Sequence, residues 1–131
     1  MKIEHFALNV AMPVEMAGWY VRNLGMKIMF SQKEAPFTHF IADDGENMMI
    51  EIYNNPVDNV PDYASMDPLI CHIAFVSDNP ISDKERLEKV GATFVTKVSP
   101  NEGTVLVMMR DPWGLPIQLC KRANPMLKIQ R

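Results

Sequence analysis

The chain has 131 residues, 47% hydrophobic and 22% charged, with a net charge of −3. That length suits one compact folding unit with a real core. The weakly acidic balance leaves no basic footprint for nucleic acid, and the longest apolar runs are strand-sized, too short to span a membrane.

Residues 2–10 alternate, with Phe6, Leu8 and Val10 on one face and Ile3, His5, Ala7 and Asn9 on the other. Pro13 predicts the first turn of a helix running to Leu24, and Gly25 predicts its stop. Strands are expected over Met26–Ser31, Phe37–Ala42 and Asn47–Tyr53, broken at Pro36 and at Asp43-Asp44-Gly45. Residues 54–68 carry Pro56, Pro61 and Pro68 and predict a connecting loop. The order then repeats. A strand is expected over Leu69–Val76, and Ser82 with Glu85 has the form of a capping box opening a second helix. Leu87 and Val90 are its expected inward residues before Gly91. Strands follow at Thr93–Lys97, Thr104–Met109 and Leu115–Cys120, the last two joined by a turn at Asp111-Pro112-Trp113-Gly114. The tail, 123–131, carries no pattern.

The repeat extends to chemistry. Ile3-Glu4-His5-Phe6-Ala7-Leu8 and Ile70-Cys71-His72-Ile73-Ala74-Phe75 share the pattern Ile-x-His-x-Ala-apolar, sixty-seven residues apart. Forty-six residues beyond each histidine stands a polar residue in an apolar strand, Glu51 after His5 and Gln118 after His72. Side chains alternate across a strand, so all four polar residues are expected on the face opposite the strongly apolar one. One strand histidine is more often a satisfied core or surface residue than a ligand; a repeated pair with matched spacing is different. Two imidazoles and a carboxylate suit Zn, Ni, Co, Fe or Mn, and a carboxamide oxygen is a weaker, neutral donor. His39 has no counterpart in the second half and is expected at the surface or in a pocket wall. Cys71 and Cys120 lie in strand-like runs and suggest no disulfide framework, so a reducing, cytoplasmic setting is expected. No apolar leader follows Lys2. The eleven methionines are expected mainly as adaptable core filling.

The stretches His5-Phe-Ala-Leu-Asn-Val, Tyr20-Val-Arg-Asn-Leu-Gly-Met-Lys-Ile, Ile50-Glu-Ile, Cys71-His-Ile-Ala-Phe-Val and Asp111-Pro-Trp-Gly-Leu-Pro-Ile-Gln-Leu resemble the vicinal oxygen chelate superfamily. This group holds the glyoxalase I, bleomycin-resistance and extradiol-dioxygenase proteins, and the spacing is most similar to bacterial glyoxalase I. The resemblance implies an α+β fold in one domain over 1–131. Two pseudo-twofold-related β-α-β-β-β modules, about 1–55 and 69–122 with a linker at 56–68, would form an eight-stranded mixed sheet around a cleft, helices outside. It implies a divalent ion, Zn or Ni before Fe, Co or Mn, on His5, Glu51, His72 and Gln118. It also implies a small-molecule substrate and a homodimer. The activity it points to is a lyase or isomerase working on a hemithioacetal-type α-hydroxycarbonyl through a metal-stabilised enediolate, with Glu51 as the base. The last ligand position is commonly Glu in metal-dependent members. Gln118 there leaves one carboxylate, makes the site net positive and suits an anionic oxygen. Two rivals remain: a non-catalytic binding protein of the bleomycin-resistance type, and a facial-triad dioxygenase using His5, His72 and Glu51.

Overall fold

The computed structural model describes residues 1–128, and the eight strands and two helices expected from the sequence are all present in the expected order. The end of the tail, 129–131, lies outside the described residues. The chain divides into two compact units, Met1–Pro61 and Asp62–Arg131. No helix among the described residues is long and apolar enough to cross a membrane.

The first unit contains β1 (His5–Asn9), α1 (Pro13–Leu24), β2 (Lys27–Ser31), β3 (His39–Ala42) and β4 (Met49–Tyr53). Its sheet order is β1-β4-β3-β2, with β1 parallel to β4 and the other pairs antiparallel. A parallel neighbour requires a crossover, and α1 with two further strands supplies it. The helix has the expected bounds because Pro13 is pre-shaped for its first turn and Gly25 takes the left-handed conformation (φ 67°) that ends it. One sheet face is the core face. Leu8, Val10, Ile41, Ile50 and Ile52 are buried there, and α1, packed on β2, β3 and β4, buries Met16, Ala17 and Tyr20.

The second unit repeats this plan with β5 (Ile73–Val76), α2 (Pro80–Glu88), β6 (Thr93–Val98), β7 (Val105–Arg110) and β8 (Pro116–Lys121). The order is β5-β8-β7-β6, and β5 and β8 are the parallel pair. The eight strands therefore form two four-stranded mixed sheets. Val107, Met109, Ile117 and Leu119 are buried on the second, and α2 places Leu87 against it with no exposed surface.

Several expectations need correction. The second helix starts at Pro80, and Asn79 is its N-cap, its side chain accepting from the Ser82 backbone N–H at 3.1 Å. Ser82 is thus inside the first turn and Ser82–Glu85 is no capping box. Val90 follows the helix and is 41% exposed, so Leu87 alone faces inward. Phe6 stays 46% exposed although Leu8 and Val10 on its face are buried. The loop after β4 contains a 3-10 turn, Tyr63–Ser65. His39 lies on the buried face level with Ile52, its Nδ1 donating to the Phe37 carbonyl at 2.7 Å, and is not a surface residue.

The strand expected from Leu69 begins only at Ile73. Asp67 captures the preceding residues: its carboxylate accepts from the Leu69 N–H and its carbonyl from the Ile70 N–H. His72 is consequently the residue before the strand. His5, by contrast, opens β1.

Candidate metal centre

Register decides which polar side chains share a face. Ala7 pairs with Glu51 across β1 and β4, and Phe40 pairs with Glu51 across β3 and β4. His5 precedes Ala7 by two residues and so points to the same side of the sheet, away from Leu8 and Ile52. The second unit has the same arrangement, with Ala74 opposite Gln118 and His72 two residues before Ala74. The first unit thus sets His5 and Glu51 on the face opposite its apolar core, and the second sets Gln118 there, with His72 just ahead of the strand.

In the first unit the pair is in direct contact. His5 Nε2 lies 3.5 Å from Glu51 Oε1, and the side chains are 37% and 20% exposed. The other ring nitrogen, Nδ1, is 2.9 Å from the Glu4 carboxylate. A carboxylate only accepts, so Nδ1 carries a proton, and in the neutral ring Nε2 presents its lone pair to Glu51. Two lone-pair donors facing each other repel unless something positive lies between them. Donors about 2.0–2.2 Å from one divalent ion at bond angles of roughly 90–110° lie roughly 2.8–3.6 Å apart, and the observed gap falls inside that range. A proton on Nε2 is the other cation that fits the gap. Phe40 meets the His5 ring edge-on, with centroids 5.3 Å apart, and restricts its rotation.

In the second unit His72 Nδ1 is 2.8 Å from the Pro68 carbonyl. A carbonyl also only accepts, so this ring too is protonated on Nδ1 and keeps Nε2 for a ligand. Metal-binding histidines are commonly oriented by such an oxygen on the second nitrogen. Gln118, half-buried on β8, lies between Ala74 and Met108. Imidazole, carboxylate and carboxamide are donor types that a divalent ion accepts. Among the described residues, however, no three His, Cys, Asp or Glu side chains form a group that could hold a metal. Each unit supplies two of the four expected donors.

The two units thus share one plan of strands and helix. The family model for the Glyoxalase/Bleomycin resistance protein/Dioxygenase superfamily matches residues 2–119. The chain belongs to that superfamily. No curated protein matches the chain. Solved structures of similar fold include an antibiotic binding protein, TnmS3, from Streptomyces sp. CB03234 (17% identity, TM-score 0.69, 92% of this chain and 94% of that one). A superfamily member from Sphaerobacter thermophilus DSM 20745 aligns at 15% identity with a TM-score of 0.71, covering 92% and 96%. A glyoxalase family protein from Enterococcus faecalis aligns at 21% identity and 0.68, covering 91% and 96%. At such identities the likeness concerns the fold.

Several partners of these side chains carry little signal in the sequence. Glu4 and Pro68 orient the two imidazoles, and Phe40 walls one of them. Glu4 adjoins His5 and could have been suspected from that alone. Pro68 acts through its carbonyl, which no side-chain pattern reveals.

Proposed function

We propose that this superfamily member is a metal-dependent lyase or isomerase acting on a small hemithioacetal-type α-hydroxycarbonyl, with His5, Glu51, His72 and Gln118 as the ligand set. The observation that carries the reading is the matched pair of imidazoles, each with Nδ1 against an oxygen and each at the start of a strand whose parallel neighbour carries an oxygen donor. A bound divalent ion would supply Lewis-acid polarisation of two adjacent substrate oxygens. Glu51 is the one carboxylate of the set. Its Oε1 would take the proton from the carbon bearing the hydroxyl and return it to the neighbouring carbonyl carbon, while the hydroxyl proton passes to the carbonyl oxygen, so that no external oxidant or reductant is needed. Gln118, which cannot exchange a proton at neutral pH, would bind and orient through its carbonyl oxygen. His5, braced by Glu4 and Phe40, would hold Glu51 in register.

The test is hemithioacetal isomerisation measured with added divalent ions on the parent and on Glu51→Gln. Turnover in the parent and a loss of about 10²–10⁴-fold in the variant are expected from removal of a general base. An inactive parent with an intact fold contradicts the reaction assignment.

A second reading, a sequestering small-molecule binder, is favoured by one observation. Phe30 and Phe40 make an edge contact at 6.1 Å that continues the ring row from His5. Such a row suits a planar apolar ligand. Tight binding of an aromatic ligand by a parent without turnover would establish it.

The proposal includes a homodimer. Strands β2 and β6 are sheet edges, and all of their residues are exposed, including Phe30, Phe94 and Val98. Open apolar edges invite a second chain. Sedimentation at micromolar concentration should give twice the chain mass, and a monomer there refutes this part.

A further inference from the structure

Arg110 ends β7, half-buried, and its guanidinium gathers backbone carbonyls from two segments. Nη1 donates to Tyr63 O at 2.8 Å and to Gly114 O at 3.2 Å, and Nη2 donates to Met66 O at 2.7 Å. Tyr63 and Met66 belong to the segment leading to Pro68, whose carbonyl accepts from His72 Nδ1. Gly114 belongs to the turn that opens β8, the strand of Gln118. Arg110 itself is level with Pro116, and Met108, two residues back, is level with Gln118. The two segments also meet directly. A Cβ at Gly114 would lie 2.6 Å from the Ala64 Cβ, and the glycine's φ of 89° disfavours any side chain.

We infer that Arg110 is a positioning residue for the second half of the site: its fork joins the loop that sets the His72 tautomer to the turn that launches the Gln118 strand. The inference rests on the reading of His72 and Gln118 as ligands. A planar guanidinium can satisfy three carbonyls from one side chain, whereas a lysine ammonium offers a point charge on a flexible stem. With the fork removed, the carbonyls of Tyr63 and Met66 lose their shared donor and the Pro68 carbonyl loses its fixed place opposite His72 Nδ1. The imidazole is then free to move its proton to Nε2, the nitrogen a ligand needs bare.

The test uses ¹⁵N-histidine-labelled, metal-free protein about two pH units above the ordinary imidazole pKa of about 6.5, where tautomers are read directly. His5, His39 and His72 each place Nδ1 against an oxygen, so all three should read as Nδ1–H in the parent. Arg110→Met should shift His72 alone toward Nε2–H, and Arg110→Lys should give an intermediate ratio. Divalent-ion affinity should fall about tenfold in Arg110→Met. If His72 stays fully Nδ1–H in either folded variant, the inference is overturned. A change shared by all three histidines also overturns it, because it marks general loosening. Should Arg110→Met fail to fold, Arg110→Lys decides by the same ratio. Parent protein that binds no metal but shows the His72 shift would refute the ligand reading and leave the positioning role standing.

Discussion

The two units share strand order and the parallel pairing, yet their histidines have different surroundings. In the first, the acceptor on the His5 ring is the Glu4 side chain, 74% exposed, and the partner across the gap is a carboxylate. In the second, the acceptor is a backbone carbonyl in a loop held by Arg110, and the partner strand carries a carboxamide. An exposed side-chain acceptor is free to leave, while a clamped carbonyl is not. In the first unit the imidazole is thus held by side chains alone, and in the second by a backbone carbonyl. The two copies keep one scaffold and differ in their oxygen donors, a carboxylate in one and a carboxamide in the other.

The helices sharpen this contrast. α1 has no side-chain cap but buries Met16, Ala17, Trp19 and Tyr20, whereas α2 has the Asn79 cap and buries little besides Pro80 and Leu87. The second unit should thus rest heavily on one side chain. Leu87→Ala should cost about 2–5 kcal/mol in denaturant unfolding, and Val90→Ala, at an exposed position, should stay within about 0.5 kcal/mol. Equal effects would show that α2 is not held as described.

Making the halves alike should have a smaller effect. Gln118→Glu would give the second unit the carboxylate of the first. By calorimetric titration it should tighten divalent-ion binding by about 1–3 kcal/mol, the worth of one more charge in a partly screened site. Weaker binding would mean that Gln118 is no ligand and that the half-sites are not equivalent.

The fold was legible because its punctuation is local. Pro13 and Gly25 bound α1 in the sequence as they do in the molecule, and the Asp111–Gly114 turn closes as expected, Asp111 accepting from the N–H groups of Trp113 and Leu115. The strand alternation placed Leu8, Ile50, Ile52, Ile117 and Leu119 in the core, with His5, Glu51 and Gln118 at positions facing the other way. Where two local signals compete, the reading failed. Ser82–Glu85 resembles a capping box, but Asn79-Pro80 supplies a better cap and first turn three residues earlier. Leu69-Ile70 look like strand, but Asp67 holds their N–H groups in a turn. What surrounds the candidate donors was opaque, because Pro68 and the Arg110 fork act through backbone carbonyls that carry no residue signature.

The central proposal is that His5, Glu51, His72 and Gln118 are ligands of one ion. The most direct measurement is a divalent-metal titration of untagged parent protein beside His5→Ala and His72→Ala. The account predicts one ion per chain in the parent and a loss of at least tenfold in affinity in each variant, although the two histidines lie in different units. A parent that binds no divalent ion, or one whose affinity survives either substitution, would contradict it.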